Sequence, residues 1–151
     1  MSLCDDGPDV PFVGVLACLN TVTTDGRLIR HPRGASVAHY PFPVPLMYSD
    51  DPGAFSLANV SHTGEVRTLD AVDRLSLWGT GVLCPALAEI IRAHESLSVS
   101  VVMDDLRYVP RCSRRGDVLE VAESWTVAGV RVHPPGHRGA FPAAAIILAK
   151  P

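Results

Sequence analysis

The sequence predicts a mostly β protein with helices, of the α+β class, built as a closed or nearly closed β-barrel with one or two packed helices. Three observations lead to this prediction. The chain contains 13 prolines and 12 glycines, which divide it into short elements. The segment SLSVSVVM alternates apolar and polar residues as a strand does, and CPALAEIIRAH has helical periodicity. No internal repeat or low-complexity tract is present.

Several short strands follow one another between turn-forming residues. Residues 24–27 have turn chemistry, and the prolines of residues 41–45 enforce an extended backbone because proline fixes φ and restricts its predecessor. A second turn is predicted at residues 70–74. The predicted strands cover residues 12–19, 65–69, 75–83, 96–103, 118–121, 125–132 and 143–148. The last of these is rich in alanine, which also fits a helix.

The clearest helix follows the strand at residues 75–83. Pro85 stands in its first turn, where proline is well tolerated. Leu87, Ile90, Ile91 and His94 recur on one stripe, so the helix is expected to pack its apolar side on a sheet.

Length and charge limit the classes of function. A chain of 151 residues, 47% hydrophobic and 19% charged, matches a single domain spanning residues 1–151 that buries about two thirds of its unfolded surface. The formal net charge is -3, and the basic cluster consists only of Arg111, Arg114 and Arg115. We therefore expect no nucleic-acid partner.

The cysteines and the apolar segments exclude further classes. The four cysteines lie far apart without a CxxC pair or histidines at zinc-ligand spacing, so neither a metal knuckle nor a dense disulfide framework is predicted. Reduced thiols in a cytosol are expected. The N-terminus lacks the features of a signal peptide, and no apolar run reaches the roughly 20 residues that span a bilayer, so no membrane partner is expected.

One combination of residues indicates chemistry. Ser98 and Ser100 share one face of a strand with buried-looking neighbours, and His62 follows a turn-rich loop. A serine nucleophile needs an imidazole that takes its hydroxyl proton, so this pairing fits a serine hydrolase. From the residues alone, a surface-loop histidine and half-exposed serines explain the same pattern. The other histidines are predicted to be surface or loop residues: His31, His39, His94, His133 and His137.

Five blocks of the sequence occur in an order that resembles a known family. LNTVTTDGRLIRHP, PFPVPLMY, SHTGEV, SVSVVMDD and AGVRVHPPGHRGAFPAAAIIL look like successive blocks of the prohead (capsid maturation) proteases of tailed phages, especially those of actinobacterial phages. Similar proteins read DGR, PLPLM, GHxGAxVxG, GVSVDLDD and PAFxxAxI. The order and rough spacing agree along nearly the whole chain.

The resemblance implies a serine endopeptidase with a barrel fold related to herpesvirus assemblin. Such a protein cleaves scaffold and major capsid protein segments inside the immature shell, within the host cytoplasm, without a cofactor. His62 matches the histidine of the GH block and would be the general base. Ser100 matches the serine of the SVDLDD-like block and would be the nucleophile, with Ser98 as its rival. Self-association and retention in the virion are left open.

The third catalytic residue is the least determined by the resemblance. Families of this kind use an acidic residue or a second histidine to orient the base. Glu89 lies where similar proteins often carry a glutamate in the helix before the serine, and it is the predicted third member. Asp104 and Asp105 are the alternatives, and the helix stripe places Glu89 away from the apolar side.

Departures from the family blocks support a different interpretation. Ser61, Glu65 and Ser98 replace a glycine, an alanine and a glycine, and Arg131 replaces a small or hydroxyl residue. A larger residue beside the nucleophile can obstruct the oxyanion donors. The alternative is a catalytically eroded protease-fold protein that serves as a minor capsid or decoration component. A plain β-barrel interaction module is a third interpretation.

Overall fold

A computed structural model describes residues 7–23, 26–30, 37–48, 61–73, 75–112, 114–139, 141 and 143–149. Within these ranges it contains ten strands and one helix. In chain order they are β1 (Val10–Cys18), β2 (Arg27–Ile29), β3 (Val44–Tyr48), β4 (Ser61–Val72), β5 (Ser76–Leu83), α1 (Pro85–His94), β6 (Leu97–Asp104), β7 (Tyr108–Cys112), β8 (Val118–Ala122), β9 (Thr126–Val132) and β10 (Ala145–Leu148).

Seven strands form a closed barrel, which confirms the predicted fold class. Their order around the barrel is β1, β10, β6, β9, β3, β4 and β5, and β5 pairs with β1 to complete the ring. All neighbours are antiparallel except β3 and β9. Alternate positions are buried, as in Leu46, Val66, Val99 and Val132, so the core follows from the period-two pattern of apolar residues.

Closure of the barrel depends on a close backbone approach at Gly81. This residue lies between its strand partners Phe12 in β1 and Val66 in β4. A Cβ atom at Gly81 would overlap the backbone oxygen of Glu65 and lie 2.9 Å from the ring of Phe12. The absence of a side chain therefore lets β4 and β1 approach β5 closely.

The helix confirms its sequence prediction. Pro85 stands at the start of α1, and Leu87, Ala88 and Ile91 are buried along one side. The helix contacts β10. Arg92 and His94 lie in its last turn, where positive charge interacts favourably with the helix dipole.

A second sheet of three strands, in the order β2, β8, β7, was not predicted as a separate unit. The strands β2 and β7 are short, and most β7 residues are exposed, so neither has the alternation that indicates a half-buried strand. The sheet joins the core through Ile29 and Ala122, which are buried with Trp125. The Trp125 indole donates a hydrogen bond to the backbone oxygen of Arg30 at 2.9 Å.

Other predictions meet mixed outcomes. Residues 145–148 form a strand, so the helical alternative for this segment is wrong.

The expectation of reduced thiols is wrong for Cys84, which is disulfide-bonded, while Cys18 and Cys112 are free. The predicted turn at residues 24–27 lies partly outside the described residues. The one helix among the described residues lacks the length and apolarity needed to cross a membrane.

Candidate active site

Ser100 lies near the middle of β6. The alternation of side chains along this strand determines the face to which the Ser100 side chain points. Leu97 and Val99 are buried, whereas Ser98 and Ser100 are half-buried on the opposite face. On the neighbouring strand β9, Arg131 is the residue directly opposite Ser100. Paired residues of adjacent strands project to the same face, so Ser100 and Arg131 share that face.

His133 contacts Ser100 directly. It follows the last residue of β9, and its backbone N–H donates a hydrogen bond of 2.8 Å to the carbonyl oxygen of Ser98. This bond continues the β6–β9 pairing by one residue. The imidazole Nε2 atom of His133 lies 2.7 Å from Ser100 Oγ. The hydroxyl and the imidazole are thus within the hydrogen-bond range that general-base catalysis requires.

The prediction that His133 is a surface or loop residue is right about the loop, since the residue lies just after β9, and wrong about the surface. His133 is only 7% exposed, and Thr63 is the one other polar or charged side chain buried among the described residues. A sequence signal existed in the segment VRVHPP. Extending the alternation of β9 by two residues from Arg131 places His133 on the face that carries Ser100, immediately before two prolines end the strand.

The surroundings of His133 keep its imidazole neutral. Burial lowers the pKa of His133 below 6.5 because it disfavours the charged form, and the positive charges of Arg131 and His137 lower it further. A neutral imidazole in the Nδ1-protonated tautomer has a free lone pair at Nε2, which accepts the Ser100 hydroxyl proton. The histidine is therefore in the protonation state of a general base at neutral pH.

Gly139 covers the Ser100–His133 pair. A Cβ atom at position 139 would overlap Ser100 Oγ and lie 3.1 Å from His133 Nε2 and 3.0 Å from the backbone oxygen of Val99. The segment after His133 thus returns over the pair, and it passes closely because Gly139 has no side chain. Any other residue would have to displace the Ser100 hydroxyl or the segment itself.

The backbone of His62 lies three strands away from Ser100. His62 pairs with Met47 in β3, Met47 with Arg131 in β9, and Arg131 with Ser100. Three strand spacings correspond to about 14 Å along the sheet. The side chain of His62 lies outside what the structure describes, so its predicted role as general base stays a prediction.

The predicted third members lie in other surroundings. Glu89 is exposed on α1 and forms an ion pair with Arg92. Asp104, at the end of β6, accepts a hydrogen bond from the Tyr40 hydroxyl, which lowers the pKa of Asp104 and raises that of Tyr40. Its second oxygen accepts the backbone N–H of Asp105. None of these carboxylates contributes to the pKa shift of His133.

Two cavities flank the pair. One, of about 150 Å³, has mainly apolar walls and includes Ser100. The other, of about 270 Å³, is polar and includes Ser98 together with Pro134, the residue after His133. The polar cavity carries the basic side chains His94, His137 and Arg138. A peptide bound across Ser100 would therefore meet the apolar cavity on one side and the basic cavity on the other.

In the described part of the chain, no group of three or more His, Cys, Asp or Glu residues is arranged to hold a metal ion. No protein-family profile matches the chain, and no curated protein or solved structure is significantly similar to it.

Proposed function

We propose that this protein is a serine hydrolase, and specifically a serine endopeptidase that cleaves scaffold and capsid-protein segments during phage head maturation. The observation that carries the hydrolase proposal is the 2.7 Å contact between Ser100 Oγ and Nε2 of a buried histidine whose pKa is lowered. The barrel with one packed helix and the resemblance of five sequence blocks support the narrower assignment.

The reaction follows from this geometry. His133 accepts the Ser100 proton while Oγ bonds to the scissile carbonyl carbon, which forms a tetrahedral intermediate. When the C–N bond breaks, the imidazolium returns the proton to the leaving amine. Water then attacks the acyl-serine, its proton passes to His133 and on to Ser100, and the new carboxylate leaves. No metal or organic cofactor takes part in this sequence.

The two histidines give two assignments of the general base. Geometry favours His133, since it contacts Ser100. The resemblance favours His62, in which case His133 would be the second histidine that orients the site. Either assignment retains Ser100 as nucleophile, and the two differ in which histidine substitution abolishes acylation.

The test uses co-expression of the protein with its capsid and scaffold proteins, compared with Ser100→Ala under the same conditions. We expect new, shorter capsid or scaffold products with the wild type and none with the variant, measured by intact-protein mass spectrometry. Identical products from both would contradict the proposal.

A second candidate is a protease-fold component of the shell that has lost activity. The observation that favours it is the positive charge around His133. Both charged side chains that lower the pKa of His133, Arg131 and His137, are positive. An imidazolium formed during catalysis would be destabilised by these charges unless the developing oxyanion offsets them. Such a protein would remain bound to assembled shells and leave the capsid protein uncleaved.

A further inference from the structure

We propose that the apolar cavity beside Ser100 is the pocket for the substrate side chain on the acyl side of the scissile bond, and that it selects a medium-sized apolar residue such as leucine, methionine or phenylalanine. This inference rests on the proposed hydrolase function and adds the substrate class.

The position of the cavity identifies which substrate residue enters it. Ser100 itself forms part of its wall, with Val101 and Met103 from the same strand. During acylation, the carbonyl carbon bonds to Ser100 Oγ, and the neighbouring substrate carbon carries the acyl-side side chain. Because the cavity begins at Ser100, the acyl-side side chain is the substrate side chain closest to it.

The walls come from three parts of the fold. Ile29 in β2 and Tyr108 in β7 belong to the small sheet, Leu106 lies in the connection between β6 and β7, and Phe141 lies two residues after Gly139. The small sheet thus forms one side of a cavity whose other side is the barrel. The segment that covers the Ser100–His133 pair also supplies Phe141, so it links the reactive pair with the pocket.

The polar side chains Arg27 and Thr23 in the wall already have partners within the protein. The Arg27 guanidinium lies over the Tyr108 ring at 4.9 Å and 3.8 Å from the carboxylate of Glu120. The Thr23 hydroxyl oxygen accepts the backbone N–H of Arg27 at 3.0 Å. A charged substrate side chain would lose its hydration without a dedicated partner here, which makes its entry unfavourable.

The volume sets the size of the side chain. A cavity of about 150 Å³ with apolar walls is large enough for a benzene-sized group. Leucine, methionine and phenylalanine side chains fall in this range. A glycine or alanine would leave most of the cavity unfilled and lose the associated binding free energy.

The experiment measures acylation by p-nitrophenyl esters of acetate, 4-methylpentanoate, 3-phenylpropanoate and succinate, followed by nitrophenolate release and by the mass of the acylated serine. We expect the two apolar esters to acylate Ser100 about 10–200-fold faster than acetate, the range for added apolar groups in a hydrophobic pocket. Succinate should be no better than acetate.

Two variants test the pocket. Leu106→Trp should fill the cavity and remove the preference for the larger esters over acetate. Val109→Trp, at an exposed position of β7 that is not among the lining residues, is the matched control and should retain the preference. Should Leu106→Trp not fold, Phe141→Ala should instead enlarge the pocket and favour a naphthylpropanoate ester.

The outcomes separate the two proposals. Equal rates for acetate and the apolar esters, or an unchanged preference in both pocket variants, would overturn the pocket assignment and leave the hydrolase proposal intact. If no ester acylates Ser100 in the folded wild-type protein, the hydrolase proposal fails and the pocket assignment fails with it.

Discussion

Ser100 and His133 are diagonal neighbours across the β6–β9 ladder. Ser100 is paired with Arg131, and His133 lies one alternation further along, opposite Ser98, where its N–H bonds to the Ser98 carbonyl. Diagonal neighbours on one face are close enough for long side chains to meet, and here the imidazole spans that gap to a hydrogen bond of 2.7 Å. The pair therefore depends on strand register.

Substitution of Ser100 tests the nucleophile. A biotinylated fluorophosphonate, which reacts covalently with activated serines, should label the wild type and fail to label Ser100→Ala, because no activated hydroxyl remains. Ser98→Ala is the matched control on the same face of β6 and should be labelled normally. The measurement is the labelled fraction by streptavidin blot and mass spectrometry, and labelling lost only in Ser98→Ala would point to the rival serine.

Substitution of the two histidines tests the general base. His133→Gln should reduce the labelling rate about 10²–10⁴-fold, the usual contribution of a general base. If His133 is the base, His62→Gln should retain most of the rate. The rate of fluorophosphonate labelling decides between them, with circular dichroism as the check that both variants fold. A large loss in His62→Gln with a small one in His133→Gln would restore the assignment made by resemblance.

The pH dependence of acylation should report the environment of His133. Its pKa is lowered below 6.5 by burial and by the charges of Arg131 and His137, so the base stays neutral to a lower pH. The acid limb of the rate should therefore lie below pH 6.5. Arg131→Gln removes one positive charge and should move that limb to higher pH.

The lowered pKa of His133 also makes the stability of the fold depend on pH. Since the folded state binds the His133 proton more weakly than the unfolded chain does, this contribution to stability is present above pH 6.5 and is lost as the pH falls through the folded pKa. As the pH falls through this window, urea denaturation should show a smaller loss in the free energy of unfolding for His133→Gln than for the wild type. An acid limb of the acylation rate at or above pH 6.5 would contradict the proposed environment of His133.

A methyl group at position 139 should disable the site. Gly139→Ala would place its Cβ where Ser100 Oγ lies, so either the hydroxyl or the covering segment must move. Misplacement of reacting groups by about 1 Å can cost about 10²-fold in rate, which is the expected loss of fluorophosphonate labelling. Arg138→Ala, at the exposed neighbouring position, is the control and should change the rate little. Unchanged labelling of Gly139→Ala would show that the segment lies further from Ser100.

Barrel closure should be sensitive to Gly81. Gly81→Ala places a Cβ against the backbone oxygen of Glu65 and the ring of Phe12, neither of which can rotate away as a flexible side chain does. We expect a loss of about 1–3 kcal/mol in the free energy of unfolding, measured by urea denaturation. Thr80→Ala, at the exposed preceding position, should cost less than about 1 kcal/mol. Equal stability of the two variants would contradict the close packing at Gly81.

Local patterns in the sequence determined most of the barrel's elements and the fold class. The alternation in SLSVSVVM predicted β6 and the face of Ser100, and the stripe with Pro85 predicted α1, because side-chain direction repeats every 2 residues in a strand and every 3.6 in a helix. Neither pattern depends on distant partners. The small sheet escaped prediction because β2 and β7 are stabilised by pairing with β8 rather than by alternation of their own.

The tertiary structure alone decided which histidine meets Ser100. His133 lies 33 residues beyond the serine, with no local spacing that connects the two, and they meet because β6 and β9 pair in one register. A shift of one residue in that register would turn His133 away from Ser100. Register between distant strands is set by packing of the whole core. For this reason the chain's own residues predicted a barrel and a candidate serine, and the fold selected the serine's partner.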